Sequence, residues 1–316
     1  MNNKSKLLVP VIVLIAIIIA YPFVVGQAGY YLSVAMKVLI MVIFAESYNL
    51  LLGYTGIVSL GHALFFGLGS YISAILMLRY HWNFWLTLIP TVVVCVLAAV
   101  AVGLLSLRVK AIYFTMLTLA LGQLLFVAAN KAYNFTGGED GLPGVPGLFQ
   151  SKTASYYAIA AITIAVIVLL RKFVSSPTGM VLQAIRENEM RTKIIGYNVL
   201  NYKLIVLVLS GALAGIAGSL YVTYSGIVYP ALASSERTME AIFMCVIGGT
   251  GNLAGPAVGA FIVVVASTIL NNFTNRWLLF FGIVFVVVIM FMPTGITGIL
   301  SGRKKKEKDI ETELVN

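Results

Sequence analysis

Apolar and polar positions fall in long blocks along this chain, not in strict alternation. Apolar runs occur at about residues 7–25, 38–52, 63–78, 84–107, 111–129, 154–170, 204–224, 238–247, 256–270 and 277–292. Continuous runs of this length predict membrane-crossing helices, whereas a barrel would show period-two segments of about ten residues. The expected fold class is therefore all-α: a polytopic helical membrane protein with about 8–10 transmembrane helices. The runs at 38–52 and 238–247 are short, and glycine-rich sequence follows each. Broken or re-entrant backbone is expected near 53–62 and 248–256, which survives at membrane depth only inside protein or beside a wet cavity. These two places also resemble each other, residues 55–63 (TGIVSLGHA) against 250–257 (TGNLAGPA). The likeness reads either as an internal duplication or as chance among small residues.

Composition agrees with the pattern. The chain has 316 residues, 60% hydrophobic and 10% charged, with mean hydropathy +0.99. The formal net charge of +10 would suggest nucleic acid in a soluble protein, but here the basic residues lie between or beyond the apolar runs and orient them. With the N-terminus inside, ten crossings put fifteen Lys and Arg residues on the cytoplasmic side, among them Arg108, Lys110 and Arg303, and six outside or at the boundary. Tyr80, Trp82, Trp85, Tyr133, Tyr156, Tyr157 and Trp277 fall near run ends, as an aromatic belt does. Lys4 and Lys6 before the first run imitate a signal peptide, but the run is long and lacks a small-x-small cleavage site, so it reads as a retained helix. Cys95 and Cys245 lie in apolar sequence and read as small buried hydrophobes.

The expected organisation is one transmembrane domain over 1–302 and a charged cytoplasmic tail over 303–316 that anchors to anionic lipid. Between two apolar runs, the loop 171–203 carries Arg186, Glu187, Glu189, Arg191 and Lys193 among good helix formers, and Gly196 stands where a left-handed stop would end a short helix. Met180, Val181, Ala184 and Ile185 share one apolar face of that helix. The series Ser210, Gly211, Ala214, Gly215, Ala217 and Gly218 then offers close helix packing. On the other side, the loop 130–153 is rich in turn residues. Its Gly138, Glu139 and Asp140 read as a solvated turn or as a contact for a basic patch on a partner.

Catalytic chemistry is not legible. A phosphate-binding loop needs a Gly-Lys pair, and that dipeptide never occurs, so ATP binding by that route is excluded. His62 and His81 are the only histidines and no metal-ligand spacing is present, so no metal site is expected. Glu46 is the most conspicuous ionisable residue at membrane depth, where a charge is costly unless paired or wetted. It reads as pathway lining, as a proton site, or as one end of an interhelical hydrogen bond. Asn49, Ser59, His62 and Gln123 are further polar groups that line a pathway or tie helices together.

Four stretches carry a resemblance: NLLLGYTGIVSLGHALFFGLGSYISAIL (49–76), TGGEDGLPGVP (136–146), SPTGMVLQAIRENEMRTKIIGYNVLNYKLIVLVLSGALAGIAGSLY (176–221) and IGGTGNLAGPAVGAF (247–261). They are similar to the membrane permease subunits of ATP-binding-cassette importers for branched-chain amino acids, specifically the larger of the two paired permeases. The resemblance implies that Ala184, Ile185, Arg186, Glu187, Asn188, Glu189, Arg191 and Gly196 form the segment that docks on an ATPase subunit. No Leu-Pro pair follows Gly196, a departure from the general importer loop that this branch shares. It further implies a permease paralogue forming a heterodimer, two ATPase subunits and an extracytoplasmic substrate-binding protein, with ATP and Mg used by the ATPase partners and no cofactor bound by this chain. Urea and short-amide importers have closely similar permeases. The rival class is an ion-coupled secondary transporter, which should carry several intramembrane ion-coordinating groups, whereas little besides Glu46 is evident.

The basic-residue split makes a topological prediction. Cysteines placed beside Gly138 react with an impermeant thiol reagent added outside, and those beside Asn188 or Lys305 do not. Labelling of position 188 from outside reverses the topology.

Overall fold

A computed structural model describes residues 22, 29–271, 277–291 and 295–298. The expected first helix over 7–25 and the tail over 303–316 lie outside the described residues, as does the side chain of Trp277. Among the described residues the chain is helical apart from one two-residue strand pair and the connecting turns. Its principal helices are α1 (Gly29–Thr55), α2 (Ala63–Tyr80), α3 (Phe84–Ser106), α4 (Ala111–Lys131), α5 (Lys152–Val174), α6 (Pro177–Glu187), α7 (Glu189–Ile194), α8 (Val199–Ser225), α9 (Ser235–Gly248), α10 (Ala254–Leu270) and α11 (Trp277–Phe291). Six of them, α1 to α5 and α8, are long and apolar enough to cross a membrane.

The run expected over 38–52 is in fact a 27-residue helix. It extends outward through Lys37, because one long basic side chain near a helix end can reach the interface. The run expected over 238–247 does remain short. At 14 residues, α9 spans roughly 21 Å, less than a bilayer's hydrocarbon core of about 30 Å. Between α8 and α9 the chain pairs outside the bundle, Leu142 with Val228 and Pro143 with Ile227, and then turns inward, bringing Ala233 against Gly67 of α2. Consequently α9 starts within the bundle and α10 returns beside it.

The charged segment 171–203 folds as two helices rather than the one expected. Ser176 caps α6 by accepting from the Gly179 amide, and Pro177 stands at the first helical position, where its missing N–H costs nothing. Asn188 is extended (φ −159°), and its side chain accepts from the Arg191 amide at 2.9 Å, so it ends α6 and caps α7. Gly196, at φ +105°, follows the end of α7. The expected apolar face also divides: Val181, Leu182 and Ile185 are buried in the chain's own core, whereas Met180 and Ala184 are exposed. Ridge geometry explains it, since a helix lying along the bundle end can bury only one stripe.

The bundle is centred on α8, which packs against α2, α3 and α1. Its small residues permit close approach: a Cβ on Gly69 of α2 would run into the Gly215 backbone, and one on Gly218 would strike the Phe66 carbonyl. Hydroxyls stitch the same contact. Ser73 donates to Ser219 Oγ at 2.7 Å and lies 3.0 Å from Thr91 Oγ1, and Ser70 donates to the Gly218 carbonyl at 3.1 Å.

A side chain at the α2–α8 crossing must push the helices apart. Gly69→Val is expected to destabilise the purified protein by on the order of 1–3 kcal/mol or prevent its accumulation. Gly282→Ala, where a Cβ meets nothing within 4 Å, should be neutral or mildly stabilising. Equal melting temperatures for Gly69→Val and the parent would show that this crossing does not depend on close approach.

Candidate functional site

The two backbone breaks, 56–62 between α1 and α2 and 249–253 between α9 and α10, end helices that run parallel. Lys37 and Met41 of α1 line one small cavity with Glu240 and Met244 of α9. Further along, Cys245 donates to the Ala45 carbonyl at 3.2 Å, and Asn49 reaches residues 251 and 252. Asn49 is the bracket. Its Nδ2 donates to the Asn252 carbonyl at 2.9 Å and to Glu46 Oε2 at 3.3 Å, and its Oδ1 accepts from the Gly251 amide at 3.2 Å. Asn252 in turn caps α10, accepting from the Gly255 amide at 2.5 Å, and donates to Thr297 Oγ1 at 3.1 Å. The tight fit requires glycine, because a Cβ at Gly53 would meet the Asn49 side chain and the Gly251 amide.

Arg186 of α6 enters between the breaks. Its Nη1 donates to the Gly53 carbonyl. Its stem lies 3.3 Å from where a Gly56 Cβ would be, and Nη1 lies 2.6 Å from the corresponding point at Gly251. Both glycines have positive φ, +73° and +83°, so side chains there are disfavoured twice, by strain and by Arg186. One side chain thus touches both breaks and belongs to α6. Beside it a cavity of about 1150 Å³ opens, lined by Gly56, Val58, Arg108, Lys110, Arg186, Glu187 and Lys203 among others.

Among the expected pathway residues, Glu46, Asn49, Ser59 and His62 are all buried and near one another. His62 Nε2 lies 2.9 Å from Ser47 Oγ, and the ring is packed by Phe44, Tyr48 and Phe65. Gln123 is not with them: it is exposed on α4, most of whose span faces outward. In the outer loop Gly138 is buried and makes the turn at φ +59°, leaving Glu139 and Asp140 exposed. Arg186, Glu187, Asn188, Glu189, Arg191 and Gly196 are exposed with Ala184, while Ile185 is buried. Lys203 joins α8 to Glu189 at 2.7 Å.

Sequence reasoning missed the Arg237–Glu240 pair, 2.6 Å apart and with side chains only 11% and 14% exposed. The i,i+3 spacing of opposite charges was a visible signal.

Comparison with known proteins follows the same lines. Residues 30–292 match the family described as "Branched-chain amino acid transport system / permease component". The chain is 24% identical over 322 residues to the "High-affinity branched-chain amino acid transport system permease protein LivM" of Escherichia coli (strain K12), covering 93% of this chain and 75% of that protein. It is 26% identical over 212 residues to the "Probable branched-chain amino acid transport permease protein LivM" of Methanocaldococcus jannaschii, covering 60% and 61%. The "High-affinity branched-chain amino acid transport system permease protein LivH" of Escherichia coli (strain K12) is 24% identical over 280 residues, 81% of this chain and 90% of that protein. No solved structure matches.

The bracket yields a stability test. Asn49→Leu keeps the branched outline of the side chain but strands the Gly251 amide and the Asn252 carbonyl, each at a cost of on the order of 1–3 kcal/mol. A clear drop in the thermal midpoint of the detergent-solubilised protein is expected, and an unchanged midpoint would show that Asn49 does not hold the breaks together.

Proposed function

Because the chain belongs to the branched-chain amino acid transport system permease family, we propose that it is one permease subunit of an ATP-binding-cassette importer that carries leucine, isoleucine and valine across the bacterial cytoplasmic membrane. It is a multi-pass membrane protein. In this reading it pairs with a permease paralogue, two ATPase subunits supply the energy from ATP and Mg, and an extracytoplasmic binding protein delivers the substrate toward Glu139 and Asp140. Both termini are cytoplasmic, and the chain itself performs no catalysis. The resemblance to both LivM and LivH supports a permease partner.

The observation that carries the reading is the exposed face of the cytoplasmic segment. Met180, Met190, Ile194 and Ile195 are 61%, 67%, 78% and 69% exposed, and Ala184 lies open beside Met180 on the same helix face. Apolar side chains so bare, on a segment outside the spans, call for a protein partner. Two residues beyond Ala184, Arg186 grips Gly53 and abuts Gly251. Displacement of α6 by a moving ATPase would therefore reach both backbone breaks within one helical turn. The route for the amino acid then passes Glu46, Asn49, Ser59 and His62. The exposed Gln123 has no part in it within this chain.

Ala184→Arg places a long charged side chain on the docking face without entering this chain's own core. Overpacking or a buried unpaired charge costs on the order of 1–5 kcal/mol, which weakens ATPase association or coupling by roughly ten- to a thousandfold. Membrane insertion and pairing with the paralogue are expected to persist while transport and substrate-stimulated ATP hydrolysis collapse. Ile185→Arg, at a position 3% exposed, should instead fail to accumulate. Undiminished transport by a normally inserted Ala184→Arg would mean that this face is not the docking site.

A further inference from the structure

The Arg237–Glu240 pair stands where a membrane protein gains little from an ion pair. Buried pairs contribute weakly to stability once desolvation is counted, and ionisable groups at membrane depth are costly, so their presence points to use. The guanidinium lies beside a pair of touching aromatic rings, 5.8 Å from the Phe66 centroid on α2 and 5.1 Å from the Tyr221 centroid on α8. Only Nη1 is engaged by an acceptor, Glu240 Oε2, among the described residues. The other ion pair, Lys203–Glu189, has its carboxylate side chain 57% exposed and is an ordinary surface contact.

The surroundings are graded along the seam between α1 and α9. Glu240 lines a small cavity of about 30 Å³ with Lys37, Ser267 and Asn271, room for about one water. Buried polar atoms with no hydrogen-bond partner among the described residues include Glu46 Oε1 on α1, His62 Nδ1 just before α2 and Ser234 Oγ just before α9. Such atoms are rare in native structures and mark a missing partner or a functional group. The series ends at the Asn49 bracket and Arg186.

We propose that the Arg237–Glu240 pair is the site at which this chain takes up a zwitterionic amino acid, its carboxylate on Arg237 and its ammonium on Glu240, and that the substrate then follows the α1–α9 seam. The proposal rests on the importer reading above and deepens it. The two protein charges neutralise each other while the site is empty, and the zwitterion exchanges one internal pair for two intermolecular ones with no change in net charge. A substrate with only one charge leaves either Arg237 or Glu240 unpaired, so the pair selects against it. Phe66 and Tyr221, already flanking the guanidinium, supply an apolar surface for a branched aliphatic chain. The pair is closed on itself in this conformation, and entry requires it to part.

The test uses the complete importer in proteoliposomes with a diazirine-bearing leucine analogue. Photolysis should label α2 near Phe66, α8 near Tyr221, or α9. Leucine should compete, while 4-methylpentanoate and isopentylamine, each with one of the two charges, should not. Labelling confined to other segments, or equal competition by the singly charged analogues, overturns the proposal. In uptake assays Glu240→Gln should raise the apparent KM for leucine by on the order of tenfold or more, since a charge-assisted contact is lost. It should also erase the preference for leucine over 4-methylpentanoate as competitor. The doubly exchanged R237E/E240R variant restores a merely structural bridge, so full recovery of leucine uptake in it also sinks the idea. Failure of the parent complex to accumulate leucine with ATP would count against the importer reading, whereas the labelling pattern reports on the site itself.

Discussion

Backbone that leaves helical geometry inside a bundle must find its hydrogen-bond partners within the protein, and the rest of this structure depends on how that demand is met. Two breaks, after α1 and after α9, expose amides and carbonyls with no helical partner. Asn49 supplies both kinds of partner to the second break, and Arg186 caps the Gly53 carbonyl next to the first. An amide side chain suits this role because it donates and accepts at once. The geometry also explains the glycines: with Arg186 and Asn49 filling the space, Gly53 and Gly251 have no volume for a Cβ.

The same economy of volume sets the frame. Without water between helices in a bilayer, association relies on close packing and interhelical hydrogen bonds. Here α8 supplies both, through Gly215 and Gly218 against α2 and through Ser210, whose hydroxyl donates to the Ser47 carbonyl of α1 at 2.5 Å. In contrast, α3 and α4 leave Leu97, Leu104, Ile112, Met116 and Leu124 bare. Those faces belong to lipid or to another membrane subunit. The small-residue frame of α1, α2, α3 and α8 therefore holds steady the surface on which the shorter α9–α10 hairpin rests.

If the proposed docking face is correct, signal transfer in this arrangement needs no long wire. The exposed Ala184 and the inserted Arg186 belong to one turn of α6, and the Asn49 bracket lies immediately beyond. From there the α1–α9 seam leads through Glu46 and His62 toward Arg237 and Glu240. Polar groups that would be expensive as decoration are gathered along one interface, which gives their cost a common reason.

The sequence by itself determined the class and the order of elements, because long apolar blocks and Gly-rich interruptions are local signals. It also marked Asn49, Glu46, His62, Gly196 and the small residues of α8, whose character is unusual wherever they sit. It could not tell that α1 runs 27 residues through Lys37, since hydropathy penalises a lysine whose stem can reach the interface. Nor could it show that Asn188 divides the cytoplasmic helix, or that Gln123 faces outward while Ser59 faces in. Only the tertiary structure decided that residues about 200 apart, Asn49 and Gly251, share a hydrogen bond, and that Arg237 lies against Phe66 and Tyr221. The reason is physical: a periodic pattern states how much of a helix is apolar, whereas the partner of each polar group depends on which helices meet, and that is fixed by the summed packing of the whole bundle.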